Sequence, residues 1–204
     1  MPAAILLDLD GTLIDSEPWY KKTEVECLNR LGVPITLGQM EEFTGLTLPR
    51  WLDRIHERFG MKISQEEFLV DYQPKMTAHV ADNVAIFSDA ESFLQRAHTV
   101  PVAIVTSSLK WYVDAVLERF SLIRRVASTV ICEADVKIGK PDPEPYLLAA
   151  ERLGVDPTEC LVVEDAPNGV KSGVAAGCHT VGIDRESNRH LKHAHRVVKS
   201  FSEL

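Results

Sequence analysis

The chain has 204 residues, 45% hydrophobic and 25% charged, with a formal net charge of −8. This is the composition of an ordinary soluble globular protein, large enough for one medium domain or for a core with an inserted subdomain. The acidic balance, with a sequence pI near 5.4, argues against nucleic acid or an anionic membrane as partner. A small anionic ligand stays open, because a metal ion and a few local cations can reverse the sign inside a cleft. No stretch reaches transmembrane length. Met1-Pro2-Ala3-Ala4 runs straight into an apolar segment and leaves no room for a signal peptide, so a cytoplasmic monomer or weak dimer is expected. Cys27, Cys132, Cys160 and Cys178 are scattered, form no C-x-x-C pair, and read as buried free thiols.

In chain order, Ala3-Ala4-Ile5-Leu6-Leu7 is short and apolar enough for a buried strand. It leads into Asp8-Leu9-Asp10-Gly11-Thr12. Side chains along a strand alternate with a period of two, which sends Asp8 and Asp10 to the same side. Two carboxylates crowded at a strand end repel each other unless they share a proton or a cation. Gly11 supplies a turn where backbone can come close to a ligand. The structural alternative is an Asp-rich turn capping the next helix, but a turn needs one Asp and not a same-face pair.

Residues 15–85 read as an all-helical insertion. The spacing predicts a helix over 17–31, stopped by Gly32-Val33-Pro34, and a second over 49–59, with Pro49 in its first turn and Gly60 after its end. A third runs from Ser64, whose partner Glu67 completes a capping box, to about residue 79. Trp51, Leu52, Ile55 and Phe59 fall at helical spacing and read as cap core rather than a cofactor box.

From Ser88 strands and helices alternate. Ser88 and Glu91 form a second capping box, opening a helix to about His98. A strand follows over 100–105, a helix over 111–120, a short strand near 129–131 and a helix over 143–153 closed by Gly154. Next come a strand over 160–163, a helix over 167–176 closed by Gly177, and a strand over 179–182. Alternation of this kind predicts a parallel sheet covered on both faces, in a core made of residues 1–14 and 86–204. Ligands of such sheets sit beyond the carboxyl ends of the strands, where Asp8, Asp10, Thr106 and Asp165 fall. His190, His193 and His195 have no nearby Cys or acid to complete a metal set and read as exposed. Asp82, Asp89 and Glu91 read as solvated loop and cap residues.

Three later segments join the first motif. They are the strand Val102-Ala103-Ile104-Val105 ending in Thr106-Ser107-Ser108, then Lys140-Pro141-Asp142-Pro143, then Leu161-Val162-Val163-Glu164-Asp165 followed by Ala166-Pro167-Asn168-Gly169. In this order the chain resembles the haloacid dehalogenase superfamily, in particular its branch of small phosphatases and phosphomutases with a helical cap inserted after the first motif. The resemblance runs from residue 3 to about 200. It implies an α/β fold: a Rossmann-like parallel sheet with helices on both faces, plus the inserted helical cap of residues 15–85.

The resemblance also implies roles. Asp8 is the nucleophile that forms an aspartyl-phosphate, and Asp10 is the acid and then the base. Thr106 and the Ser107 amide bind phosphate, and Lys140 supplies a fixed positive charge. Thr106 could instead cap the helix near Trp111, although Ser108 is better placed to do so. Mg²⁺, which favours oxygen ligands and keeps several waters, is held by Asp8, the Asp10 carbonyl and Asp165. Glu164 either assists through a water or only ends its strand.

The cap of such enzymes excludes water and sets substrate choice. Glu17, Tyr20, Trp51 and Lys75 are the candidates for substrate contact, beside the segment Gly45-Leu46-Thr47-Leu48. Sugar phosphomutases of this branch place a histidine where Tyr20 falls and an arginine where Leu48 falls, so hydrolysis of a small sugar or polyol phosphate is favoured over transfer. A haloacid dehalogenase would need neither Asp10 as an acid nor a metal. A receiver-type switch would lack both the helical block and the paired Asp.

Overall fold

The computed structural model describes residues 1–43, 48–96, 100–185 and 190–204. The segment Gly45-Leu46-Thr47 and the expected helix end at His98 lie outside the described residues. Strand β1 (Ala4–Leu7) is buried at every position, as an apolar run covered on both faces must be. After the Asp8–Thr12 turn come β2 (Ile14–Asp15), α1 (Glu17–Arg30), α2 (Leu48–Phe59), α3 (Gln65–Asp82) and β3 (Ala85–Ile86), the last antiparallel to β2. Then follow α4 (Ser88–Arg96), β4 (Val102–Val105), α5 (Lys110–Arg119), α6 (Ser121–Val126), β5 (Ala127–Ile131), α7 (Glu144–Leu153), β6 (Cys160–Glu164), α8 (Pro167–Ala175), β7 (His179–Ile183) and β8 (Arg196–Val198).

The chain divides into two compact units, one of Met1–Asp15 with Ala85–Leu204 and one of Ser16–Val84. In the first, six parallel strands stand in the order β5-β4-β1-β6-β7-β8. Ala4, Leu6, Ala103, Val105, Cys160 and Val162 share one face with Tyr146, Ala149 and Ala150 of α7. Ile5, Leu7, Ile104 and Val163 alternate to the other face and are equally buried, as period-two side chains on a doubly covered sheet require. From β1 the sheet grows through β4 and β5 on one side and through β6, β7 and β8 on the other. The order therefore reverses between β1 and β6, which opens a crevice at their carboxyl ends.

In the second unit, the Ser64 hydroxyl accepts the Glu67 amide at 3.2 Å while the Ser64 amide donates to Glu67 Oε2 at 2.8 Å, so α3 starts from a complete capping box. Its apolar centre is built from Cys27 and Leu28 of α1, Trp51, Leu52 and Ile55 of α2, and Phe68, Tyr72, Met76 and Val80 of α3. All four cysteines are free and buried. No helix among the described residues is long and apolar enough to cross a membrane.

Several local expectations differ from the structure. Helix α6 and strands β2, β3 and β8 have no counterpart in the periodicity reading; β2 and β3 take Asp15 and Ala85, the two ends of the stretch expected to be all-helical, and two residues are too few to show a period. The three residues of β8, Arg196-Val197-Val198, are mostly exposed, and such a short edge strand shows no alternation to read. Ser88 lies inside α4 rather than capping it. Asp89 is not solvated: its carboxylate accepts from Arg185, from the Ser200 hydroxyl and from the Phe201 amide. His190, His193 and His195 are exposed, and His195 Nδ1 lies 3.0 Å from the Thr180 amide.

Candidate active site

The Asp8 amide donates to the Val163 carbonyl at 3.1 Å, which sets Asp8 beside the end of β6. Glu164 is the last residue of that strand and Asp165 the next. Asp8, Glu164 and Asp165 each offer a carboxylate oxygen within 4.8 Å of the others, at 7%, 1% and 3% exposure. Like charges so close and so dry need a cation. Lys140 is one: its Nζ donates to Asp8 Oδ1 at 2.7 Å, Glu164 Oε1 at 2.6 Å and the Val105 carbonyl at 2.8 Å. One ammonium does not balance three acids. Burial, and then the Glu164 charge, push Asp8 up to about 7 against the pull of Lys140. The two carboxylates in turn hold Lys140 well above its ordinary value despite burial.

Glu164 is anchored from three sides. Besides Lys140, the Tyr146 hydroxyl donates to Oε1 at 3.1 Å and the Ala166 amide to Oε2 at 2.9 Å. Gly169, in the first turn of α8, makes room for this carboxylate, which a Cβ there would overlap. Asp165 receives the Thr12 hydroxyl at 3.3 Å and lies against Gly11. Gly11 has φ +78 and no space for a Cβ, which would overlap Asp165 Oδ2, so both its conformation and its contact demand glycine.

Asp10 departs from the simple strand picture. The strand ends at Leu7, so the period-two rule does not carry through to Asp10. The strongest like charge on Asp8 comes from Glu164, and Asp10 adds less. The Asp10 carboxylate instead accepts from Ser108 Oγ at 2.7 Å, Tyr112 Oη at 2.8 Å and Thr106 Oγ1 at 3.4 Å. Ser108 is therefore not the helix cap: α5 starts at Lys110 with Leu109 before it and no side-chain cap.

Thr106 is buried, Ser107 is exposed, and Thr106 Oγ1 accepts the Ser108 amide at 3.0 Å. Of the candidates in the helical unit, Trp51 is buried against Phe68, ring centroids 5.0 Å apart. Lys75 is committed to Glu26 at 2.8 Å and Asp71 at 3.1 Å. Both belong to the fabric of that unit. Glu17 and Tyr20 are half-buried on α1. Sequence reasoning assigns no site role to Thr12, Ser108 or Gly169, although all three lie in the motifs, and it leaves Tyr112 and Tyr146 unmarked; the two tyrosines look like ordinary core aromatics at helical spacing, and nothing local says where their hydroxyls end.

The acid cluster fits a hard divalent cation. Its donors are carboxylate oxygens, the positive charge present falls short of the negative, and Gly11 lets the Asp165 carboxylate pack against the turn that carries Asp10. Glu164 is already engaged by Lys140, Tyr146 and the Ala166 amide, which makes it the anchor of Lys140.

An α/β core thus gathers carboxylates and one lysine at its switch point. The family profile of haloacid dehalogenase-like hydrolases matches residues 2–177, and the chain belongs to that family. It is 32% identical over 205 residues to hexitol phosphatase A of Escherichia coli (strain K12), spanning 98% of this chain and 91% of that protein. It is 28% identical to the fructose-1-phosphate phosphatase YqaB of the same organism, spanning 89% and 96%. A HAD family hydrolase from Deinococcus radiodurans R1, solved with bound phosphate and sodium, superposes with a TM-score of 0.75 at 25% identity, covering 98% of this chain and 92% of that one.

Proposed function

We propose that this phosphoric monoester hydrolase releases phosphate from a small sugar or polyol phosphate in the cytoplasm, with Asp8 as nucleophile, Asp10 as acid and base, and Mg²⁺ as cofactor. The observation that carries the reading is the join of Lys140 to both Asp8 and Glu164, beside Asp165, at the ends of β1 and β6. A lysine held this way keeps positive charge next to the attacking carboxylate.

An Asp8 oxygen attacks phosphorus while the bond from phosphorus to the ester oxygen breaks. Asp10 gives that oxygen its proton, so the product leaves as a neutral alcohol and the phosphoryl group rests on Asp8. Asp10, now a carboxylate, takes a proton from water as the water oxygen attacks the same phosphorus. Phosphate departs and Asp8 is restored. The Thr106 hydroxyl and the Ser107 amide hydrogen-bond the phosphate oxygens. Asp8, Asp165 and the Asp10 carbonyl would hold Mg²⁺, which when bound supplies positive charge against the phosphate oxygens.

Support for the substrate class comes from the names of the two Escherichia coli relatives, a hexitol phosphatase and a fructose-1-phosphate phosphatase. The test is a panel of sugar, polyol and nucleotide monophosphates with Mg²⁺, run beside Asp8→Asn. Sugar or polyol esters should lead the panel and the variant should release no phosphate. Phosphate release by a folded Asp8→Asn protein would remove Asp8 as nucleophile.

A further inference from the structure

We propose that Tyr112, together with Ser108, is a positioning residue that fixes the Asp10 carboxylate for proton transfer to the leaving group; this deepens the role given to Asp10 above and rests on it. Tyr112 Oη donates to Oδ1 at 2.8 Å and Ser108 Oγ to Oδ2 at 2.7 Å. The two donors take different oxygens, so any turn of the carboxylate about its last bond, or a change of rotamer, weakens both bonds together. Asp10 sits in a turn beyond the end of β1 and is only half-buried. Its rotamer therefore needs an external anchor.

Both anchors are themselves fixed. Tyr112 is 1% exposed and shares the buried face of α5 with Val113 and Val116, and a packed ring cannot follow a wandering carboxylate. The Ser108 amide donates to Thr106 Oγ1 at 3.0 Å and its carbonyl accepts the Glu133 amide at 3.2 Å. The chemistry of the anchors also suits the task. Each hydroxyl donates to an oxygen lone pair that the acid and the carboxylate both keep, so the same two groups hold Asp10 before and after it hands over a proton while that proton faces the leaving group. Asp8, by contrast, is held by an ammonium, which suits a group that attacks as an anion.

An alkoxide leaving group needs a proton, whereas p-nitrophenolate leaves without one, so correct placement of a general acid shows in the ratio of the two rates. In the full-length enzyme with Mg²⁺, Tyr112→Phe should lower the ratio of kcat/KM for glycerol 1-phosphate to that for p-nitrophenyl phosphate on the order of tenfold, with the loss in kcat rather than KM. Ser108→Ala, which leaves the packed ring alone, should move the ratio the same way. In an Asp10→Asn background neither substitution should lower it further, since the group being positioned has gone. Equal losses on both esters, no loss on either, or losses that add to that of Asp10→Asn would overturn the proposal. If Asp10→Asn itself leaves the ratio unchanged, the role of Asp10 falls and the positioning role with it. If Asp10→Asn lowers the ratio and both hydroxyl variants do not, only the positioning role falls.

Discussion

Arg185 Nη1 holds both carboxylate oxygens of Asp89 at 2.9 Å, joining the loop after β7 to the first turn of α4. The same guanidinium donates through Nη2 to the Thr12 carbonyl at 3.0 Å and lies over the Phe87 ring, 3.9 Å from its centroid. Thr12 in turn gives its hydroxyl to Asp165. A structural ion pair thus stands directly behind the turn that carries Asp10 and Gly11.

Breaking this pair should destabilise the fold in a pH-dependent way. Burial pushes Asp89 upward, but Arg185, the Phe201 amide and Ser200 outweigh it and hold the carboxyl below its ordinary 3.8. A carboxyl whose pKa is lowered on folding contributes stability above the unfolded value, and that contribution is lost as pH falls through the folded value. Asp89→Ala should cost about 2 kcal/mol near pH 7, since it takes a charge-assisted partner from a half-buried guanidinium. Its deficit should shrink as the pH falls below about 3.8. Urea midpoints for both proteins across this range check it; a deficit that stays constant into acid would show the pair contributes through packing alone.

Lys140 carries a heavier load. Lys140→Met should abolish turnover and lower stability by about 3–5 kcal/mol, because Asp8 and Glu164 then share a buried site without a cation. Adding Glu164→Gln should return part of the stability and none of the activity. Denaturant unfolding and phosphate release, measured on the same three proteins, separate the structural task from the chemical one.

Gly11→Ala should lower activity by on the order of a hundredfold, the scale of a small misplacement in a preorganised site. The new methyl would displace Asp165 and would also demand positive φ from alanine. Gly60→Ala has the same φ problem, at +72, but nothing near its Cβ, so it should lose stability of about 1–2 kcal/mol and keep its kcat. Comparing the two isolates the contact with Asp165 from the backbone term.

Divalent metal should act on stability as well as on rate. EDTA should stop turnover and added Mg²⁺ restore it. Mg²⁺ should also raise the unfolding temperature, because it binds the folded acid cluster and not the unfolded chain. Asp165→Asn should raise the stability of the metal-free protein, by removing one of three crowded charges, and should flatten the response to Mg²⁺. Scanning calorimetry with and without Mg²⁺ reads both effects.

Much of this molecule is legible along the chain, because its signals are local. Apolar runs of four or five residues mark β1, β4 and β6, the alternation of strand with helix places β7, and Gly154 and Gly177 mark the ends of α7 and α8. Ser64 with Glu67 marked the start of α3. Each is a backbone preference that neighbouring residues express without help. Strand β8 and helix α6 were invisible for the converse reason: three and six residues carry too little period to read, and the sheet edge decides the first of them.

Local pattern along the chain thus sets the order of strands and helices, the acids and hydroxyls at the strand ends, and the lysine ahead of α7. How these charges are divided depends on packing. Crossing the sheet at β1 and β6 brought Glu164 and Lys140 to Asp8, and sent Asp10 to Ser108 and Tyr112, 98 and 102 residues away in the chain. A carboxylate is stabilised by whichever donors packing delivers to it through space, and distance through space is not written in the spacing of residues.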